Sequence, residues 1–498
     1  MSNPYDAVPY DSHPFAQTHP DRLSAIAQLL GVAAPPPDSS RVLEIGCASG
    51  GNLIPMALRL PEARFIGIDL SPVQIAQGQA AIRDLGLANI QLREMDLTAF
   101  DDQLGEFDYI LCHGVYSWVP DAVQEAILAL VARQLAPHGI AYISYNTLPG
   151  WNMRGMVRDM MRYHAQPFPA GEQVTQARAI LDFMARAVPA DNNAYGVLLR
   201  NELEVLRQQP DYYIQHEHLE ENNRPVYFHE FAAHAARHGL QYLAEAEFGA
   251  MLATQFAPDI AQTVRSIAPD LIRQEQIMDF LRNRTFRQTL LVRAGVSIER
   301  AVTAARIPGL HIASSLKAEA TPNLQANTAD NYRAANGGGL RTAETITKAA
   351  LGVLAEVWPA TLPFDQLLQR ARAALPIHTE QQAETLATDL LQAYAAGLVE
   401  LHALPLAFST QAGKHPNASP LARRQARHSR FVTNLRHETV PIDDHLARLL
   451  PLLDGTRSRE EIVKRVASWP GEPAPLAATR EHVNKILHDL GKAALLVG

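Results

Sequence analysis

The chain has 498 residues, with 44 Lys+Arg against 52 Asp+Glu and a net charge of −8. At roughly 100–200 residues per domain this length calls for three or four domains, and the negative balance argues against a protein whose main task is coating nucleic acid. A hydrophobic content of 47% excludes a disordered chain, and two cysteines, Cys47 and Cys112, exclude a disulfide framework or a cysteine-rich zinc module.

The first residues show neither the basic nor the apolar region of a signal peptide. No apolar run reaches the roughly 18 residues of a membrane span. The expected compartment is the cytoplasm, without membrane insertion. Five short apolar runs follow, at 41–46 (RVLEIG), 64–69 (RFIGID), 90–95 (IQLREM), 107–113 (FDYILCH) and 140–146 (IAYISYN). Helical patterns such as 72–85 and 121–135 separate them. Strands alternating with helices predict a parallel sheet covered on both faces.

Residues 151–210 break the alternation and read as three helices. It then resumes with a helix over 227–238, a strand over 240–248, helices over 258–283 and a strand over 285–294. Residues 314–345 are poor in large apolar side chains and contain Gly337–Gly339, the pattern of a linker or solvent-facing hairpin. A weak internal repeat closes the chain: helices over 346–357, 364–374 and 380–396 with a strand over 398–402, then helices over 443–453, 458–468 and 478–492 with a strand over 494–497. Three helices and a strand resemble a winged helix. The joining stretch, 409–440, has little secondary-structure signal.

After the first strand comes Glu44-Ile45-Gly46-Cys47-Ala48-Ser49-Gly50. Its glycines allow a tight turn and close backbone approach to a ligand. It is not the G-x-G-x-x-G dinucleotide fingerprint, because position 48 is Ala. Asp69 ends the second strand, where an acid accepts hydrogen bonds from ribose hydroxyls. Asp96 ends the third and can accept from an adenine amino group, with Leu97 beside it to pack on the ring. In a doubly wound sheet these strand ends converge on one crevice.

This constellation resembles that of class I S-adenosylmethionine-dependent methyltransferases, in which an acid-x-Gly-x-Gly-x-Gly turn is followed by acids after strands two and three. Glu44, Gly46, Gly50, Asp69 and Asp96 match, and Ala48 departs at the middle glycine. The resemblance implies a Rossmann-like seven-stranded core with an antiparallel sixth and seventh strand. S-adenosyl-L-methionine is the implied cofactor, bound by Glu44, Gly46, Cys47, Ala48, Gly50, Asn52, Asp69, Leu70, Asp96, Leu97 and His113. A closer similarity covers most of the chain. The entry segment SHPFAQTHPDRL, the run YNTLPGW from Tyr145, PVYFHEFAAHAA from Pro225 and NLRHE from Asn434 look like marks of a bacterial methyltransferase group with a methyltransferase regulatory domain. That group includes lysine methyltransferases of outer-membrane proteins, so the resemblance implies methyl transfer to lysine of a protein substrate. Two other readings stay open: a small-molecule N- or O-methyltransferase, and a non-catalytic S-adenosylmethionine-sensing regulator.

The expected domains are a cofactor-binding core from 1–150 and 226–308, a helical insertion at 151–225 that caps the site or forms a homodimer contact, and winged-helix-like modules at 309–408 and 409–498. These modules are expected to govern the acceptor rather than the cofactor. His113, Tyr145 and Asn146 are the candidate catalytic groups. Tyr10, Tyr116, Trp118 and Trp151 are candidates for the acceptor site, since aromatic rings hold a cationic amine by cation–π attraction. No metal is expected: His216 and His218, on a stretch read as extended, and His234 and His238, four apart on a helix, are taken as ordinary histidines. Cys47 and Cys112 are taken as small buried hydrophobes on neighbouring strands. The basic residues Lys414, Arg423, Arg424, Arg427, Arg430 and Arg436 are read as a solvated or protein-docking face, not a nucleic-acid site.

Overall fold

The computed structural model describes residues 12–99, 104–406, 408–470 and 476–497; Tyr10 lies outside them. An entry helix α1 (Pro20–Leu29) precedes β1 (Arg41–Ile45), α2 (Leu53–Arg59), β2 (Arg64–Asp69), α3 (Pro72–Leu85), β3 (Ile90–Glu94), β4 (Phe107–Cys112), α4 (Asp121–Gln134) and β5 (Leu135–Asn146). An insertion follows: α5 (Gly150–Ala165), α6 (Ala170–Ala187), α7 (Ala194–Arg207) and a π-helical turn, Ile214–Leu219. The sheet is completed by α8 (Phe228–Arg237), β6 (Leu240–Glu245), α9 (Pro258–Ile267), α10 (Leu271–Arg282) and β7 (Phe286–Arg293).

The sheet has seven strands in the order β3-β2-β1-β4-β5-β7-β6, with β7 antiparallel to both β5 and β6. β1 is buried from Val42 to Ile45, as a central strand covered by helices on both faces must be. α3 shows how local chemistry sets boundaries. The Ser71 hydroxyl accepts from the Gln74 amide, Pro72 opens the first turn, and Gly86 at φ +65° ends the helix.

Beyond the sheet, β8 (His311–Ala313) is the middle strand of a β12-β8-β13 sheet with β12 (Leu362–Pro363) and β13 (Glu400–His402). With α11 (Thr345–Val357), α12 (Phe364–Ala373) and α13 (Gln381–Ala395) it forms a winged-helix-like unit. The expected linker at 314–345 holds a small antiparallel sheet of β9 (Lys317–Ala318), β10 (Asp330–Arg333) and β11 (Gly339–Thr342). The stretch 409–440, read as nearly featureless, contains α14 (Pro420–Gln425) and a hairpin of β14 (Phe431–Thr433) and β15 (Thr439–Pro441). The last helices are α15 (Asp444–Leu449), α16 (Arg459–Ala467) and α17 (Leu476–Lys492). In place of the final strand, Leu496 makes isolated bridges to Ser409 and Ala418.

One continuous apolar core runs from α1 and one face of the large sheet into the middle module. The insertion has its own core, and so does the C-terminal module, from which Leu421 alone of its described residues joins the main core.

Candidate cofactor and acceptor site

The turn after β1 has little room. A Cβ on Gly46, at φ +73°, would stand 2.4 Å from Val115 Cγ2. Ala48 lies at φ +47°, in the left-handed region where a side chain costs about 1–2 kcal/mol. Its amide donates to Asp69 Oδ2 at 2.8 Å, which holds the backbone in the shape a glycine would take. Asp69 Oδ1 accepts from the Ser71 amide at 2.9 Å. The carboxylate therefore braces two loops as well as facing the crevice. Leu70 beside it is 58% exposed. Asp96 is exposed and bonded to the amide and hydroxyl of Thr98, which hold its carboxyl below the ordinary range. β3, β2 and β1 are direct neighbours, so Asp96, Asp69 and the Gly46–Gly50 turn share the carboxyl edge of the sheet.

Glu44 and Asn52 form a buried pair at the base of this edge. Asn52 Nδ2 donates to Glu44 Oε1 at 2.7 Å and to Thr18 Oγ1 at 3.0 Å. Asn52 Oδ1 accepts from the Phe15 amide at 2.9 Å and from His437 Nε2 at 2.8 Å. Glu44 Oε2 is buried with no hydrogen-bond partner. Burial pushes the Glu44 carboxyl up to about 8, against the Asn52 hydrogen bond and with a small further push from Asp69. The entry segment closes over the same loop: the Gly51 amide donates to Ser12 Oγ at 2.8 Å, and Phe15 lies 4.0 Å, ring to ring, from His113. Ser12, Phe15 and Thr18 lie in the SHPFAQTHPDRL segment and His437 in NLRHE, which the sequence marks only by resemblance and without a role at this loop. Each meets the loop through a contact between distant segments, which no local pattern announces.

On the other side of the crevice, His113 follows β4. Its Nδ1 pairs with the Tyr142 hydroxyl at 2.9 Å, and burial lowers it to about 4, so the ring is neutral. Asn146 ends β5, with its amide N–H on Ser117 Oγ at 2.8 Å and its side-chain NH2 on Asn223 Oδ1 at 3.0 Å. Trp118 and Trp151 meet edge to face at 6.3 Å. Two expectations need correction. Tyr145 is 1% exposed, stacked on Phe231 at 4.1 Å, with its hydroxyl 3.0 Å from Thr289 Oγ1. Tyr116 is equally buried, with its hydroxyl 2.8 Å from His234 Nδ1. Strand alternation turns the Tyr145 ring, and the short 3-10 turn at Tyr116–Trp118 the Tyr116 ring, into the core against Phe231 of α8.

Elsewhere, His216 and His218 are buried within the π-helical turn, not on an extended stretch. His234 and His238 converge on Glu125, at 2.7 and 2.9 Å, and tie α8 to α4. Both thiols are buried, and burial pushes Cys112 up to about 12, so they act as apolar side chains. Within the sheet's antiparallel half, the fully buried Arg287 pairs with Glu245, Glu275 and Asp279 at 2.8, 2.9 and 2.8 Å and lies 3.8 Å over the Phe228 ring. Much of the basic stretch is spent internally: Arg424 pairs with Asp84 at 3.0 Å, Arg436 with Glu400 at 2.6 Å, and Arg430 with Asp444.

The sheet order with its antiparallel seventh strand, the glycine turn and the acids at three adjacent strand ends define a Rossmann-like methyltransferase. The residues present suit its cofactor: the turn at Gly46 admits no Cβ, and the orphaned Glu44 oxygen is a counter-charge for a cation. Three family models match: a methyltransferase domain at 42–139, a predicted methyltransferase regulatory domain at 210–293, and a PKMT C-terminal winged helix domain at 414–495. An uncharacterized protein of Rickettsia prowazekii is 37% identical over 496 residues, 96% of this chain and 88% of that one. The solved structure of PKMT2 from Rickettsia typhi superposes with a TM-score of 0.89 at 29% identity, covering 98% of this chain and all of that one, and the same protein has been solved with AdoHcy. Trans-aconitate 2-methyltransferase of Variovorax paradoxus is 29% identical over 157 residues, 32% of this chain and 56% of that protein. The chain belongs to the S-adenosylmethionine-dependent methyltransferases that carry a methyltransferase regulatory domain and a PKMT-type winged helix, and S-adenosyl-L-methionine is its cofactor. No helix among the described residues is long and apolar enough to cross a membrane.

Proposed function

We propose that this methyltransferase acts on lysine side chains of a protein, in the cytoplasm, with an outer-membrane protein as the target class. The observation that carries the reading is the end-to-end match to PKMT2, which includes the appended modules as well as the core. The shorter trans-aconitate enzymes resemble only about a third of the chain. Two modules beyond a finished catalytic core are more surface than a small metabolite needs. In this reading 1–150 and 226–308 bind cofactor, 151–225 cap the site or pair two subunits, and 309–408 and 409–498 orient the acceptor.

Bound S-adenosyl-L-methionine supplies an electrophilic methyl on a cationic sulfur. Glu44, Gly46, Cys47, Ala48, Gly50 and Asn52 form its cradle, Asp69 takes the ribose, and Leu70, Asp96 and Leu97 take the adenine. An acceptor amine must reach the methyl in line at about 3–3.5 Å. Asn146, with its NH2 committed to Asn223, offers its Oδ1 to an amine N–H. His113 is too weak a base to hold a lysine proton near neutral pH, so it orients and excludes water. A lysine of ordinary pKa ~10.4 loses its proton more readily beside a cation and out of water. Trp118 supplies the aromatic wall for the cationic chain, with the buried Trp151 packed edge to face behind it.

The test uses full-length protein, methyl-labelled cofactor and a cell-envelope extract, with mass spectrometry of labelled peptides. Methyl groups on lysine support the proposal. Label confined to small molecules overturns it in favour of a metabolite enzyme.

A further inference from the structure

The contact between His437 and Asn52 crosses the whole molecule, 385 residues apart in sequence. His437 sits in the turn between β14 and β15, at φ +63°, and is 3% exposed. The turn is tied to its own module by the Leu435 amide on the Ala494 carbonyl at 2.8 Å, and it bonds outward through Arg59 to the Leu435 carbonyl and Arg436 to Glu400. The Asn52 amide is fully subscribed: both N–H groups go to Glu44 and Thr18, and its oxygen takes the Phe15 amide and His437. His437 therefore donates from Nε2, while its Nδ1 is buried without a partner. Burial holds the ring well below the ordinary histidine range, so it stays a neutral donor.

We propose that His437 is a positioning residue of the cofactor pocket: through Asn52 it fixes the Glu44 carboxyl and the entry segment, so that the pocket binds cofactor well only while the C-terminal module is docked. This deepens the acceptor-recruiting role given to that module. It rests on the cofactor assignment and not on the lysine reading. The C-terminal module has an apolar core of its own, and polar contacts of His437 with Asn52, of Arg59 with the Leu435 carbonyl and of Arg424 with Asp84 join it to the catalytic core, contacts suited to an interface that can open and close. Cofactor occupancy and module docking then favour each other by the same factor.

The test measures binding of S-adenosylhomocysteine to the full chain by calorimetry, independent of any acceptor. His437→Ala should bind about tenfold or more weakly with an unchanged circular dichroism spectrum. His437→Gln, whose amide can place an N–H where Nε2 stands, should recover to within about threefold. Ala and Gln both carry a left-handed backbone cost at this position, so the comparison between them holds that cost fixed while Gln alone restores a donor and most of the side-chain volume. Arg480→Ala, which breaks an exposed pair with Glu460 wholly inside the same module, should bind like wild type. Near-wild-type affinity in His437→Ala, or equal loss in Ala and Gln, overturns the proposal. Should His437→Ala not fold, hydrogen exchange of wild type decides: amides 434–438 should slow on saturation with S-adenosylhomocysteine, and an unchanged rate overturns it. Wild type that does not bind S-adenosylhomocysteine would instead refute the cofactor assignment.

Discussion

Glu44 makes cofactor affinity depend on pH in a direction that can be worked out in advance. Its carboxyl is buried, one oxygen has no partner, and its pKa is raised to about 8. In the free enzyme at neutral pH it is mostly protonated. The cofactor carries an ammonium and a sulfonium, and both favour the ionised carboxylate once bound. The group is therefore raised in the free protein and lowered in the complex, so binding releases a proton and affinity climbs as pH rises. A carboxyl of pKa about 8 is ionised to ~1% at pH 6 and ~24% at pH 7.5, so affinity should gain about 25-fold across that window. The window stops short of the point, near 7.7–8.0, where a free α-amino group loses its own proton. His19, at about 3, and His113, at about 4, stay neutral throughout, as does His437, held well below its ordinary value. Glu44→Gln keeps an oxygen for Asn52 and removes the titration, so its profile should be flat and its affinity at pH 7.5 lower. Calorimetry in buffers of different ionisation heat counts the released proton directly. A flat wild-type profile without proton release would sink the reasoning.

Three further outcomes follow from the geometry. Asp69→Ala removes a charged acceptor and frees the Ala48 and Ser71 amides, which should cost about 1.5–3 kcal/mol or roughly 10–150-fold in cofactor affinity by calorimetry; wild-type affinity would refute the ribose role. Arg287→Ala strands Glu245, Glu275 and Asp279 in the core and should destabilise the sheet by about 3–5 kcal/mol in urea unfolding, whereas a loss below about 1 kcal/mol would mean the cluster relaxes. Asn146→Ala should lower the transfer rate with cofactor affinity nearly intact, and Tyr145→Phe should keep the rate and lose about 1 kcal/mol of stability with the Thr289 contact; the reverse pattern would return Tyr145 to the crevice.

The strand ends were readable because their logic is local. A glycine turn, an acid about 20 residues on and a third acid follow from short loops on adjacent parallel strands, and Gly46, Asp69 and Asp96 stand together as expected. Ala48 was the doubtful position, and its left-handed backbone shows that the Asp69 hydrogen bond does the work of the missing glycine. The inward turn of Tyr116 and Tyr145 is not legible in the sequence, because it depends on where α8 brings Phe231 against both rings. His216 and His218 alternate in sequence like a strand but wind into a π-turn packed within the insertion. The C-terminal modules are expected to serve the acceptor, and the bond from His437 to Asn52 of the cofactor loop is a contact that this expectation does not include. Bonds such as His437 to Asn52, or His402 to Asp21 at 2.6 Å, join residues hundreds of positions apart and leave no period to detect.

The same long-range ties bear on how the protein is made. Asn52 emerges from the ribosome 385 residues before His437, and Asp21 precedes His402 by 381. At about 5–20 residues per second, the first partner waits roughly 20–80 s for the second. During that interval Asn52 lacks one of its donors, and the entry helix lacks the histidine that anchors it. A nascent or prematurely terminated chain would hold a Rossmann-like sheet without the last clamp on its cofactor loop. The cofactor loop thus gains its last hydrogen-bond donor only once nearly nine-tenths of the chain has been made.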